Sequence, residues 1–405
     1  MKPIVRAGRM KPVHSDIRGP LFVEAMKRQK QGIDILKLNT GNPATFGFGL
    51  PDSIKNALLE HMQDGVGYCD FKGMPQARQA ICDYETSKGI KGITSDDVFI
   101  GNGVSEVVSF ALTPLLNDGD EVLVPSPSYS LWGNSVYLED GKPVFYTCDE
   151  QANWYPDIQD IRSKITDKTK AIVIINPNNP TGVLYPKELL LKIIQIARES
   201  GLLIFADEIY DRLVMDGKQH ISLASLTEDV PVITLNGLSK SHCLCGYRCG
   251  WMVISGPREL TEDYRQGIIQ LTSLRLCANT LAQIVIPAAL DDMETPASMV
   301  RPGGRIYEQR EATVRELEKI DGLSFVKNDA AFYVFPKLDV KKFNITNDKQ
   351  FAHDLLDATN ILLVPGSGFD WKDPDHFRIV MLPQADILSD AIRRMGTFLD
   401  GYKQK

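Results

Sequence analysis

An α/β protein, with a large, mostly parallel central sheet plus a smaller α/β domain, is the fold class this sequence predicts. Three observations predict it. The continuous apolar runs Ala171-Ile172-Val173-Ile174-Ile175, Leu202-Leu203-Ile204-Phe205-Ala206 and Val232-Ile233-Thr234-Leu235 each read as a strand buried on both faces. Between the first two, Tyr185 to Ser200 carries a helical apolar pattern of Leu189, Ile193, Ile196 and Ala197, so strand, helix and strand make a right-handed crossover that brings both strand ends to one edge. At 405 residues the chain also exceeds what one core organises, which predicts two domains.

Taken along the chain, each predicted strand ends in chemically useful residues, where open parallel sheets bind their ligands. Val98-Phe99-Ile100 runs into Gly101-Asn102-Gly103-Val104-Ser105 and then a helical run from Glu106 to Leu116. Backbone N–H groups near Val104 and Ser105 at that helix start suit an anion, and the glycines let the backbone come close. A dinucleotide fingerprint is excluded because Glu106 occupies the third glycine position. Glu121-Val122-Leu123-Val124 leads to Tyr129, whose ring can stack on a planar ligand, unless it is an ordinary packing residue. Asn179, in the turn-forming Asn176 to Gly182, and Tyr210 can both donate to a ligand oxygen. Asp207 can cap a helix or hold the proton on a pyridine nitrogen. Lys240, in Asn236-Gly237-Leu238-Ser239-Lys240, stands just past a strand, where burial should lower its pKa and free the amine to form a Schiff base with an aldehyde. Arg248 follows eight residues later with a guanidinium fork for a phosphate. The aldehyde that fits these groups is pyridoxal phosphate.

Gly103-Val104-Ser105, Tyr129, Asn179-Pro180-Thr181-Gly182, Asp207 with Tyr210, Ser239-Lys240 and Arg248 stand in the order and spacing of the fold-type I pyridoxal-phosphate aminotransferases, which the chain resembles over almost its whole length. The resemblance implies that Lys240 links covalently to the cofactor and shuttles the α-proton, and that Asp207 pairs with the ring nitrogen. It also implies that Asn179 and Tyr210 hold the ring oxygen and Tyr129 stacks, while the main chain at Val104 and Ser105, together with Arg248, binds the phosphate. Ser239 is a further phosphate candidate; Gly237 stands where many relatives have serine. Phe377-Arg378-Ile379-Val380-Met381 resembles the strand whose arginine grips the substrate α-carboxylate, and Gly41 belongs to a loop whose backbone meets the same group. Tyr68 resembles a tyrosine lent across a dimer interface to the neighbour's phosphate, implying a homodimer with shared sites.

Asp16-Ile17-Arg18-Gly19-Pro20, Gly41 to Phe48, Arg275 to Asn279 and Pro302 to Arg310 resemble bacterial glutamate–pyruvate, or alanine, aminotransferases more closely. Ser15, where relatives often have an aromatic residue, and Cys243, Cys245 and Cys249 depart from that pattern. The implied reaction is ping-pong exchange of an amino group between an L-amino acid and a 2-oxo acid, with Arg18 as the candidate for glutamate's distal carboxylate. Substrate groups at both chain ends suggest that residues 1–43 join 293–405 in the small domain, around a large cofactor-binding domain at 44–292. A carbon–sulfur β-lyase would use the same constellation, and a ligand-binding module without activity would not need Lys240; product analysis and an aldimine absorbance band distinguish them.

A net charge of −7 and a pI near 5.5 argue against a nucleic-acid surface, and no run is long and apolar enough for a membrane span. Met1 to Pro12 is basic but lacks a following apolar export segment, and seven cysteines without paired metal-ligand spacing fit reduced thiols. A cytoplasmic enzyme with no metal is expected. His242, beside Lys240, is read as structural.

Overall fold

A computed structural model describes residues 2–405; Met1, the first residue of the basic N-terminal stretch, lies outside the described residues. The central sheet has eight strands in the order Val98–Asn102, Cys249–Ser255, Val232–Gly237, Leu203–Asp207, Thr169–Ile175, Glu121–Ser126, Lys142–Asp149 and Tyr155–Pro156. From Val232–Gly237 to Lys142–Asp149 every neighbour is parallel, and Cys249–Ser255 runs against both of its neighbours. The three long apolar runs are therefore adjacent inner strands. Alternate residues feed opposite cores: Val173 and Ile175 pack with Phe205 and Ile233, while Ile172 and Ile174 pack with Ile204 and with Ile193 of the crossover helix.

Two helices differ from the sequence expectation at their ends. The run expected from Glu106 to Leu116 is helical over Val104–Leu112, because Gly103 at φ 82° turns the chain directly into the helix. The crossover helix is Lys187–Ser200: Pro186 is its N-cap, and a residue before proline, here Tyr185, disfavours helical geometry.

The two chain ends share a core. Leu38 packs with Leu317, Phe351, Leu355, Ile379, Leu388 and Met395, and the short strand Leu36–Lys37 pairs in parallel with Ile361–Leu362. Next to it, Phe377–Val380 lies between Tyr333–Val334 and Val364–Pro365 in a three-stranded antiparallel sheet.

Candidate functional site

Strand direction alone assembles the site. Val98–Asn102, Glu121–Ser126, Thr169–Ile175, Leu203–Asp207 and Val232–Gly237 all end at one edge, and the reversed strand Cys249–Ser255 starts there, with Asn102 opposite Cys249 and Gly237 opposite Gly250. That edge thus receives Val104, Tyr129, Asn179, Asp207, Lys240 and Arg248 on five connections, the last of which carries both Lys240 and Arg248.

Lys240 lies in the single helical turn Leu238–Ser241, and its Nζ donates to the Gly41 carbonyl at 3.0 Å. Gly41 must be glycine here: an added Cβ would sit 2.3 Å from the Tyr333 hydroxyl. The Tyr333 hydroxyl is in turn hydrogen-bonded to that of Tyr210 at 2.7 Å. Burial acts to lower the Lys240 pKa, but the neighbouring Tyr333, Cys245 and Tyr129 outweigh it and the pKa is raised. The expectation of a depressed lysine pKa is corrected accordingly: in this state the ammonium has acceptors around it, and desolvation alone does not decide its protonation.

Arg378 is fully buried on its strand, 1 % exposed. Its Nη1 donates to Asn179 Oδ1 at 2.8 Å and its Nη2 to the Asn39 carbonyl, while Nε has no partner. The guanidinium packs over Tyr333 and Phe369, 4.5 and 4.6 Å from their ring centroids, and burial lowers its pKa. Among the described residues no carboxylate pairs with it. A buried cation without an anion is costly, so the position calls for an anionic ligand.

Asp207 poses the converse demand. It is 5 % exposed, Oδ2 accepts from Trp132 Nε1 at 3.0 Å, and burial pushes its pKa up to about 6. No cationic side chain forms an ion pair with it among the described residues. The edge of the central sheet therefore holds a buried carboxylate awaiting a cation, and Arg378, on the three-stranded sheet, meets that edge at Asn179 with a buried guanidinium awaiting an anion.

The central sheet's edge also carries an anion cradle. A Cβ at Gly103 would fall 2.1 Å from Arg248 Nη2, and one at Gly250 would fall 2.4 Å from the Val104 nitrogen, so glycine at both points lets the arginine reach the start of the helix Val104–Leu112. Arg248 is exposed and donates to the Cys245 carbonyl at 3.0 Å. Ser105 is exposed at the helix start and Ser239 is half-buried beside Lys240. Glu106 does not oppose an anion there: its carboxylate accepts from the Asn102 backbone at 2.7 Å and from Arg275 at 2.6 Å.

Tyr129 stands three residues past its strand, 36 % exposed. Tyr68 and Arg18 are not drawn into this cluster: Tyr68 is 83 % exposed, and Arg18 is exposed without an ion pair among the described residues. His242 has the structural role expected, hydrogen-bonded to Ser241 Oγ and to the Asp292 carbonyl, with burial lowering its pKa to about 4. Sequence reasoning missed Trp132, Tyr333 and the thiol of Cys245, which lies 3.8 Å from Lys240 Nζ. A buried indole N–H needs an acceptor, so Trp132, three residues after Tyr129, carried a usable signal; Tyr333 carried none before the strand order was known.

Residues 33–392 match the family described as aminotransferase class I and II. The chain is 50 % identical over its full length to the full length of the glutamate-pyruvate aminotransferase AlaA of Haemophilus influenzae. Its fold superposes on a crystal structure of an aminotransferase from Escherichia coli with a TM-score of 0.98 at 47 % identity, covering all of both chains. An alanine aminotransferase from Pyrococcus furiosus gives a TM-score of 0.92 at 40 % identity, covering 98 % of this chain and 100 % of that one.

Proposed function

The chain belongs to the class I and II aminotransferases, and we propose that it is a pyridoxal-phosphate enzyme exchanging an amino group chiefly between L-alanine and 2-oxoglutarate, giving pyruvate and L-glutamate, and the reverse. The observation that carries the reading is the pair of unmatched buried charges, Asp207 at the central sheet's edge and Arg378 meeting that edge at Asn179, with the Lys240 amine and an anion cradle on the same edge as Asp207. Pyridoxal phosphate fits that set: its ring nitrogen offers the cation that Asp207 lacks, and its phosphate fits the cradle closed by Arg248. A β-lyase has no observation in its favour beyond the shared constellation.

Bound there, the cofactor supplies a carbonyl carbon to receive the amino group and a ring that takes up electrons from the substrate α-carbon. The protein's own groups do the rest. Arg378 binds the substrate α-carboxylate with its fork, held in place by Asn179 and the Asn39 carbonyl; Gly41 leaves room beside it. Asp207, fixed by Trp132, keeps the proton on the ring nitrogen. Tyr210 and Asn179 hold the ring oxygen and Tyr129 covers the ring face, while Val104, Ser105, Ser239 and Arg248 hold the phosphate. The Lys240 amine would take the proton from the substrate α-carbon and carry it, with Gly41 O as its hydrogen-bond acceptor when free.

The charge argument has a direct test. Arg378→Lys keeps the cation and loses the planar fork, so catalytic efficiency should fall about 10- to 100-fold for every amino acid and 2-oxo acid, with cofactor affinity unchanged. Unaltered steady-state constants with all substrates would remove Arg378 from carboxylate binding.

Glutamate and 2-oxoglutarate carry a second carboxylate that alanine and pyruvate lack. We assign it to Arg18, which is free of acidic partners among the described residues and next to Ile17, whose carbonyl accepts from Asn39 Nδ2 at 2.8 Å; the carbonyl of the same Asn39 accepts from Arg378. Arg18→Ala should lower catalytic efficiency for glutamate and 2-oxoglutarate by at least ~10-fold, or about 1.4 kcal/mol of transition-state binding, and that for alanine and pyruvate much less. Equal losses with both pairs would refute selective recognition.

The active unit in this reading is a homodimer in which Tyr68 reaches the partner's phosphate site. Its support is exposure: Tyr68 lies near Val66, 76 % exposed, and Leu281, which flanks Gly65, while Leu274 is 82 % exposed. Such uncovered apolar side chains favour a protein interface. The core shared by the chain ends supports a small domain of residues 1–43 and 293–405 beside a large domain at 44–292, and closure of the small domain would bring Arg378 onto the substrate. Among the described residues no helix is long and apolar enough to cross a membrane, and all seven cysteines are free thiols, which favours a reducing cytoplasm.

A further inference from the structure

The residues from Asp207, which ends strand Leu203–Asp207, to Asp211 face two different surroundings. Asp207 meets Trp132, and Tyr210 meets Tyr333, in the site already described. Glu208 and Asp211 meet Lys88 instead, the residue that caps the C-terminus of helix Pro75–Ser87. The Lys88 Nζ lies 2.8 Å from Glu85 Oε2, 2.8 Å from Glu208 Oε2 and 3.1 Å from Asp211 Oδ2, and all three carboxylates are buried. Glu208, Asp211 and His220 have metal-ligand spacing, but the ammonium already sits against both carboxylates, so the cation of this cluster is the chain's own. Burial acts to lower the Lys88 pKa; Glu208, Glu85 and Asp211 outweigh it and hold it well above its ordinary value.

The cluster reaches both halves of the catalytic machinery. Asp211 Oδ2 also accepts from Asn236 Nδ2 at 2.7 Å, and Asn236 Oδ1 accepts from the Gly237 backbone at 2.7 Å, three residues before Lys240. Glu208 Oε1 accepts from Ser222 Oγ at 2.9 Å and from the Leu223 backbone at 3.0 Å, so that side of the turn is fixed as well. Without the ammonium, three buried carboxylates would converge with only His220, 3.9 Å from Glu208, and Arg212 as nearby basic groups, and the turn or the strand end would have to move apart or a carboxylate take up a proton.

We propose that Lys88 is a positioning residue, whose ammonium ties the turn Asp207 to Asp211 to the segment Asn236 to Lys240 and so fixes the distance between the Asp207 carboxylate and the Lys240 amine. The inference rests on the roles given above to Asp207 and Lys240. Lys88→Met removes the charge and keeps most of the side-chain volume; Lys88→Arg keeps the charge. In the cofactor-free protein, Lys88→Met should speed amide hydrogen exchange at least ~10-fold in 207–211 and 236–240, but not in the remote helix Ala385–Asp400. With pyridoxal phosphate added, it should weaken binding at least ~10-fold, shift the absorbance maximum of the bound cofactor and lower kcat more than it raises KM, whereas Lys88→Arg keeps the wild-type spectrum. Asn236→Ala, which cuts the link without uncovering a charge, should loosen 236–240 in the same way and serves if Lys88→Met does not fold. Wild-type exchange in both segments would overturn the proposal, as would faster exchange everywhere with an unshifted spectrum. A wild-type chain that takes up no cofactor would defeat the functional reading, while the exchange comparison would still decide the role of Lys88.

Discussion

Lys240→Ala should lower multiple-turnover transamination by at least ~10⁴-fold, because it removes the covalent attachment and the proton carrier together, and a positioned acid–base group alone contributes about 10²- to 10⁴-fold. Cofactor binding should survive, weakened. The cradle of Gly103, Val104 and Arg248 does not depend on the lysine, and neither does the Asp207 carboxylate. Equilibrium dialysis against pyridoxal phosphate measures the retained binding, and a coupled assay with alanine and 2-oxoglutarate measures the lost turnover. Added small primary amines should restore part of the rate, since the space left around Gly41 O and Cys245 Sγ is that of the missing side chain. Near-normal turnover of the variant without added amine would show that another residue is the proton carrier.

Much of this framework was legible in the sequence because it is local. A continuous apolar run buried on both faces announces an inner parallel strand, and the residues following it must then lie at the ligand edge; Asp207, Asn179 and Lys240 follow from that rule alone. The neighbours that tune those residues were not legible. Trp132 meets Asp207 across 75 residues and Tyr333 meets Tyr210 across 123, and no periodicity encodes such a meeting. For the same reason the sign of the Lys240 pKa shift is not legible in the sequence. Burial is visible in an apolar run, whereas Tyr333, Cys245 and Tyr129 arrive from three other segments. Glu106 is an intermediate case: its side chain excluded a dinucleotide fingerprint, but its neutralisation by Arg275, from 169 residues away, appears only in the fold.

Asp207→Asn should separate function from stability in opposite directions. Asparagine keeps an oxygen for Trp132 Nε1 but cannot hold a proton on the ring nitrogen by charge, so kcat should fall at least ~10³-fold, the scale of losing a preorganised electrostatic partner in a buried site. The cofactor-free variant should at the same time be more stable than the wild type. In the native chain, burial pushes the Asp207 pKa up to about 6, above the value near 3.9 of an unfolded aspartate. The folded state therefore binds the extra proton between those limits. The stability associated with the protonated carboxyl is fully present below about pH 4 and is lost as pH rises through about 6. An uncharged asparagine escapes that loss, so the variant's advantage should be absent near pH 4 and should reach on the order of 2–3 kcal/mol at pH 8. Urea unfolding of both cofactor-free proteins at the two pH values measures it. Saturating pyridoxal phosphate should then stabilise the wild type more than the variant, because only the carboxylate gains a countercharge from the ring. A variant less stable than the wild type at pH 8 without cofactor would mean that the Asp207 carboxylate is already compensated inside the protein, and the unmatched charge that recruits the cofactor would have to be sought elsewhere.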